Sequence, residues 1–276
     1  MRKVNLKISK ENYPFKTWNE VYPKGNVKLL NHLYNNSWMD FFKQESKTKE
    51  YKELESFLSE ECKTKILYPY PELMFNALNL TNLQDIKVVI IGQDPYISAE
   101  LSSKNLKVPQ AMGLSFSVPT GVAIPKSLVN IYKNLYNADQ IVYKPNHGNL
   151  TFWALQGCLL LNATLTVVSG LSNSHENNWS KFTERLIRYI SDVSKKNDNK
   201  LIFVMWGKNA LEKRQYIDTK FHKCIISSHP SPLGAFSEIF DRVTGKTYPS
   251  FNECDHFGSI NTYLEKFGKK KIIWQL

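Results

Sequence analysis

Four short apolar runs that do not alternate constrain this chain most: "KVVIIG" (Lys87 to Gly92), "GCLLLNA" (Gly157 to Ala163), "KLIFVMWG" (Lys200 to Gly207) and "HKCIISSHP" (His222 to Pro230). A strand with one wet face alternates apolar and polar side chains, so a run without alternation must be covered on both faces. Segments of helical periodicity separate and follow the runs: "SLVNIYKNL", "FTERLIRYISDVSKK", "NALEKRQYI" and "INTYLEKFG". Strands alternating with helices predict an α/β protein, a three-layer α/β/α domain around a central four-stranded parallel sheet. Upstream, Val27 to Phe42 and Tyr51 to Glu61 also carry apolar residues at helical spacing.

This architecture carries a functional expectation. Open α/β sheets bind ligands outside the carboxyl ends of their strands. The residues that end the four runs are Gln93-Asp94-Pro95-Tyr96, Asn162, Gly207-Lys208 and His229-Pro230-Ser231-Pro232-Leu233. Taken singly each has a plain reading. Asp before Pro starts turns and caps helices, a histidine at a strand end is commonly a hydrogen-bonded structural residue, and Asn162 could satisfy loop backbone groups. Taken together, an acid, an amide and an imidazole at one sheet edge form a candidate site for a polar, planar ligand.

Charge narrows the partner. Lys and Arg number 36 against 25 Asp and Glu, a net charge of +11, and such an excess favours a polyanion, most commonly nucleic acid. The apolar runs are too short to span a membrane. The basic opening "MRKVNLKISKENYPF" has no apolar block after it, so no secretory signal is expected. Cys62, Cys158, Cys224 and Cys254 show neither CxxC pairing nor metal-ligand spacing, which suits reduced thiols in an intracellular protein without a metal site.

The strand-end segments also carry a resemblance. "VVIIGQDPY", "LLLNATLTV" and "HPSPLGA" resemble the three hallmark segments of family 1 uracil-DNA glycosylases. The similarity extends through "ILYPYPELMFNAL", "GLSFSVPTGVAIPKSLVNIYKNL", "SHENNWSKFTERLI" and the closing "IIWQL", roughly Trp38 to Leu276. It implies residues 1–37 as an N-terminal arm with the start of the first helix, and 38–276 as the catalytic domain. It implies an enzyme that flips uracil out of DNA, hydrolyses its N-glycosidic bond and leaves an abasic site, working at DNA with no cofactor; a monomer is expected because a DNA-wrapping cleft must stay open. On the matching positions, Asp94 would orient water and face the cationic sugar, and a neutral His229 would donate to uracil O2. Gln93, Tyr96, Phe116 and Asn162 would bind uracil: Asn162 reads O4 and N3–H, Tyr96 excludes the thymine methyl, and Phe116 stacks on the ring. Ser127, Gly207, Lys208 and Ser231 would hold DNA phosphates, and Leu233 would fill the gap left by the flipped base.

The chain departs from the resembled pattern at several positions. Ile97 stands where a His usually follows "GQDPY", Met112 where a second His is expected, and residues 97–109 lengthen the segment before Gln110. That lengthening predicts a surface excursion, with Lys104 and Lys107 either solvated or near phosphate. Lys208 takes the place of a usual Ser, and Gly234 the place of another, which is expected to loosen the loop around Leu233. A second insertion, Phe236 to Phe251, reads as a variable surface loop. These departures leave one competitor to the enzyme: a glycosylase-derived DNA-binding protein with little excision. A metal-dependent nuclease is a poorer fit, because no carboxylate cluster accompanies Asp94 and His229.

Overall fold

The computed structural model describes residues 8–276; the part of the expected arm at residues 1–7 lies outside them. The chain from Ile8 onward is packed against the rest. Ile8, Tyr13 and Trp18 are buried, the Lys10 amide donates to the Thr120 carbonyl at 2.7 Å, and the Trp18 indole N–H donates to the Pro69 carbonyl at 2.8 Å.

The expected helix over Val27 to Phe42 is broken. Short 3₁₀ turns at Leu29–His32 and Asn36–Trp38 precede a seven-residue helix, α1 (Met39–Glu45). Side chains compete for the backbone here. The Glu55 carboxylate takes the Leu29 N–H, Asn79 takes the Tyr34 N–H, and Asn35 takes the Ser37 N–H. Local hydrogen bonding of this kind offers the chain an alternative to the helical ladder. The second expected helix forms as α2 (Lys49–Thr64), with Thr48 capping its first turn.

The four apolar runs form the sheet: β1 (Val88–Gly92), β2 (Cys158–Asn162), β3 (Ile202–Trp206) and β4 (Lys223–Ser227), all parallel, in the order β2-β1-β3-β4. Every residue of β1, β2 and β3 is buried. β4 lies at an edge, and four of its five residues are only partly buried. Helices α3 (Lys126–Asn137), α4 (Glu176–Lys196) and α5 (His256–Lys266) complete the layers. The expected helix at "NALEKRQYI" is split into one turn of α-helix at Lys208–Leu211 and a 3₁₀ segment at Glu212–Tyr216.

Two features hold the helical layer rigid. Phe42, Phe75, Trp179 and Phe182 form a ring cluster with centroid separations of 5.2 to 6.4 Å, and each buried ring contributes about 1.5–3 kcal/mol. Arg185 of α4 makes a two-pronged ion pair with the buried Glu45 of α1, at 2.8 and 2.6 Å.

The strand register sets the functional edge. Gly92 of β1 pairs with Asn162 of β2. The pairing continues past the strand ends, where Ala163 and Thr164 donate to the carbonyls of Gly92 and Gln93, both at 2.9 Å. Both insertions are β-hairpins. In the first, Ala99–Leu101 pairs antiparallel with Lys107–Pro109, and it is fastened to the N-terminal arm. Glu100 binds Lys10 at 2.7 Å and the Ala123 amide at 2.9 Å, and Ser103 binds Glu11. In the second, Ile239–Asp241 pairs with Lys246–Tyr248.

Candidate active site

Beyond the carboxyl ends of β1 and β2 lies a pocket of about 240 Å³. Gln93, Asp94, Tyr96, Phe116, Ser127, Asn162 and His229 all line it, together with Ile97, Met112 and Ser172. Gly207, Lys208, Ser231 and Leu233 lie outside its lining.

Asp94 lies two residues beyond β1, and its carboxylate is held from across the pocket. Oδ2 accepts from the Ser172 hydroxyl at 2.7 Å and from the Asn173 amide at 2.8 Å. Asn173 adopts a left-handed backbone, φ 59°, and its side-chain oxygen accepts from Gln93 Nε2 at 2.7 Å. Sequence reasoning did not single out Ser172 or Asn173. "GLSN" reads as an ordinary turn, and only the fold brings it to a carboxylate 78 residues away.

His229 is fixed in protonation and tautomer. Its Nδ1 accepts the Ser231 amide proton at 3.0 Å, so any ring proton must sit on Nε2. Burial pushes its pKa down to about 4, although Asp94 pulls the other way. At neutral pH the imidazole is therefore uncharged, with Nε2–H free to donate. Gly207 makes room for it: the backbone there is left-handed, φ 88°, and a Cβ would lie 3.0 Å from the His229 Cβ.

Asn162 is buried at the end of β2 and presents an amide to the pocket. Gly92 beside it must lack a side chain, because a Cβ would come within 2.3 Å of Asn162 Oδ1 and 2.7 Å of Ser115 Cβ. We expect Gly92→Ala to fold, to displace the Asn162 amide, and to weaken binding of the pocket's ligand by tenfold or more; titration of the free ligand against both proteins measures this.

Two aromatic rings complete the walls. Phe116 adopts φ 63°, rare for a bulky residue, and is braced by Trp206 at 5.4 Å and the His229 ring at 5.8 Å. Tyr96 is held by its hydroxyl, which donates to the Phe116 carbonyl at 3.4 Å and meets the Ser127 hydroxyl at 3.3 Å. Burial pushes the Tyr96 phenol up to about 12, so it stays neutral. Met112 is fully buried, and its sulfur accepts from Ser117 at 3.0 Å.

The loop after His229 differs from expectation. Gly234 does not loosen it: the Gly234 amide donates to the Ser231 carbonyl at 3.0 Å. A Cβ there would press within 2.7 Å of the His229 carbonyl, so the close approach itself requires glycine. Leu233 projects from this tight turn, 91% exposed. Lys208, also exposed, lines a separate cavity of about 750 Å³ under the second hairpin, with Arg214, Phe240 and Arg242.

Buried and partly buried histidines also affect stability. His175, His222, His229 and His256 all have depressed pKa values, chiefly through burial, with His229 and His256 at about 4. Below about pH 6.5 the unfolded chain binds protons at these positions that the folded chain refuses, so stability is full above that pH and falls toward pH 4. Urea titrations at pH 7.5 and pH 5 should give a lower midpoint at pH 5, before carboxylates titrate; equal midpoints would contradict the assignment.

A fold of this kind, with an immobilised acid and a neutral imidazole lining a slot of aromatic and amide groups, defines an α/β enzyme built for a planar, hydrogen-bonding ring. The comparisons identify the family. The profile of the "Uracil DNA glycosylase superfamily" matches residues 78–263. A "Probable uracil-DNA glycosylase" of Acanthamoeba polyphaga mimivirus is 45% identical, covering 98% of this chain and 72% of that relative. The uracil-DNA glycosylase of Alkaliphilus oremlandii is 41% identical, covering 88% and 97%. The crystal structure of mimivirus uracil-DNA glycosylase superposes with a TM-score of 0.92 at 40% identity, covering 100% of both chains. A variant of the mimivirus UNG in complex with UGI superposes equally well, with a TM-score of 0.92 at 42% identity over 98% and 99% of the two chains. The chain belongs to the uracil-DNA glycosylase family.

Proposed function

We propose that this chain flips a deoxyuridine out of DNA into the Asp94–Asn162–His229 pocket, hydrolyses its N-glycosidic bond and leaves an abasic site. The observation that carries the reading is the pairing of a tethered carboxylate with an imidazole held neutral, lining one pocket. As the C1′–N1 bond breaks, its electron pair passes to the uracil, and negative charge accumulates on O2. His229 Nε2–H donates to that oxygen, and a fixed donor of this kind is worth roughly 10²–10³ in rate. Asp94 faces the oxocarbenium-like sugar, stabilises its positive charge and orients the water that adds to C1′.

Recognition follows from the same walls. The Asn162 amide donates to O4 and accepts from N3–H, the reverse of what cytosine offers. Tyr96, clamped by Ser127 and the Phe116 carbonyl, occupies the place of a thymine methyl. Phe116 stacks on the ring. The exposed Leu233 fills the vacated stack, while Ser127, Ser231 and the Gly207–Lys208 corner meet phosphates, and the net positive charge makes binding salt-sensitive. We assign the enzyme to wherever DNA is stored or copied inside its cell.

A duplex with 2-aminopurine beside a single uracil tests the flipping step. Fluorescence should rise on binding, followed by release of free uracil and an alkali-labile site in an otherwise intact strand. Because UGI is bound to the mimivirus variant, added UGI is expected to suppress both signals. Uracil release without the fluorescence rise would refute the flipping step, and binding without release would favour the DNA-binding alternative.

A further inference from the structure

We propose that Ser172 is a positioning residue for the reaction: its hydroxyl, acting with the Asn173 amide, locks the rotation of the Asp94 carboxylate. The inference rests on the proposed function, in which Asp94 is the carboxylate that faces the sugar and orients the water. Both donors converge on the same oxygen, Oδ2, at 2.7 and 2.8 Å. Among the described residues no protein donor reaches Oδ1, which becomes the oxygen that accepts from the attacking water. A carboxylate held by one donor can still swing about that bond; two donors from successive residues of one turn define its plane.

The turn carrying them is itself fastened. The Gly170 amide donates to the Ile97 carbonyl at 2.9 Å, Asn173 is tied to Gln93, and the Val168 amide donates to the Ser174 hydroxyl at 2.8 Å. Its backbone contact with residue 97 is made through a carbonyl and is blind to the side chain there. Ile97 lines the pocket but carries no group that can hydrogen-bond Asp94. An imidazole at that position could share the task; here the hydroxyl of Ser172 and one amide perform it. Ser172 is exposed, so removing its hydroxyl does not threaten folding.

The test is a kinetic cycle on a single-uracil oligonucleotide with four proteins besides the wild type: Ser172→Ala, Ser172→Thr, Asp94→Asn and the double variant Ser172→Ala/Asp94→Asn. A hydrogen bond to a charged group corresponds to roughly tenfold to a hundredfold in rate. Ser172→Ala should lower kcat by that factor with KM within about twofold, since the lost contact matters at the reacting centre and not in uniform binding. Ser172→Thr, which keeps the hydroxyl, should recover most of the rate. In the Asp94→Asn background, Ser172→Ala should change the residual rate by less than about twofold, because interacting residues are non-additive. A wild-type kcat for Ser172→Ala, or a loss that persists undiminished in the Asp94→Asn background, would overturn the proposal while leaving the role of Asp94 intact. A wild-type rate for Asp94→Asn would remove the role of Asp94 and this proposal with it.

Discussion

Asp94→Asn is expected to slow uracil release about a thousandfold under single-turnover conditions while leaving affinity for uracil-containing DNA within a few-fold. The asparagine is nearly isosteric, so Ser172 and Asn173 can still meet a side-chain oxygen at position 94, and the pocket keeps its shape. What disappears is the negative charge facing the sugar as C1′ becomes cationic, together with a strong acceptor for the water proton. In the proposed complex binding draws on other groups: the ring stack on Phe116, the Asn162 amide, and phosphate contacts from a chain with a net charge of +11. A rate loss with retained affinity is the signature of an interaction made in the transition state. A parallel loss of binding would instead mean that position 94 shapes the pocket and does not serve the chemical step.

Asn162→Asp is the substitution expected to alter specificity most. A site that hydrogen-bonds its substrate edge rejects an analogue with the wrong pattern by roughly 10⁴–10⁵, because buried groups are left unpaired. In the proposed complex the asparagine amide supplies a donor for O4 and an acceptor for N3–H. An aspartate supplies acceptors only: it repels O4 and suits the exocyclic amine of cytosine. Uracil release should fall at least about a hundredfold, and the ratio of uracil to cytosine release should narrow by more than that. Gly92 leaves the new carboxylate the same tight seat, with no Cβ to push it aside. Release assays on matched uracil and cytosine oligonucleotides measure the ratio; an unchanged ratio would place base reading elsewhere.

The sheet and most of the site were legible in the sequence for one reason. Strands buried on both faces have no alternation to hide in, and their ends must meet at one edge. Gln93, Asp94, Tyr96, Asn162 and His229 lie at that edge, and the resemblance added Phe116 and Ser127. Contacts made across long separations were not legible. Nothing in "GLSN" announces donors for Asp94, and nothing around Phe116 signals a left-handed backbone braced by Trp206. The helical spacing of Val27 to Phe42 was real but was overruled by Glu55, Asn79 and Asn35, whose side chains take backbone amides that a helix would have used. Gly234 misled in a different way. Glycine is read by default as freedom, whereas here it answers to the His229 carbonyl 2.7 Å from where a Cβ would be. The two insertions could be placed by length, but their hairpin form depends on pairing that no local pattern advertised.

The most direct test of the central claim is base release by the wild-type chain, in EDTA, from three oligonucleotides identical except for a single uracil, thymine or cytosine. Free uracil is expected from the first, with an abasic site in its place; cytosine release should be lower by at least about 10⁴ because its edge leaves the Asn162 amide unpaired, and thymine release should be far below that of uracil because its methyl overlaps Tyr96. Release of thymine at a rate near that of uracil, or no release from any of the three while the DNA is bound, would contradict the claim.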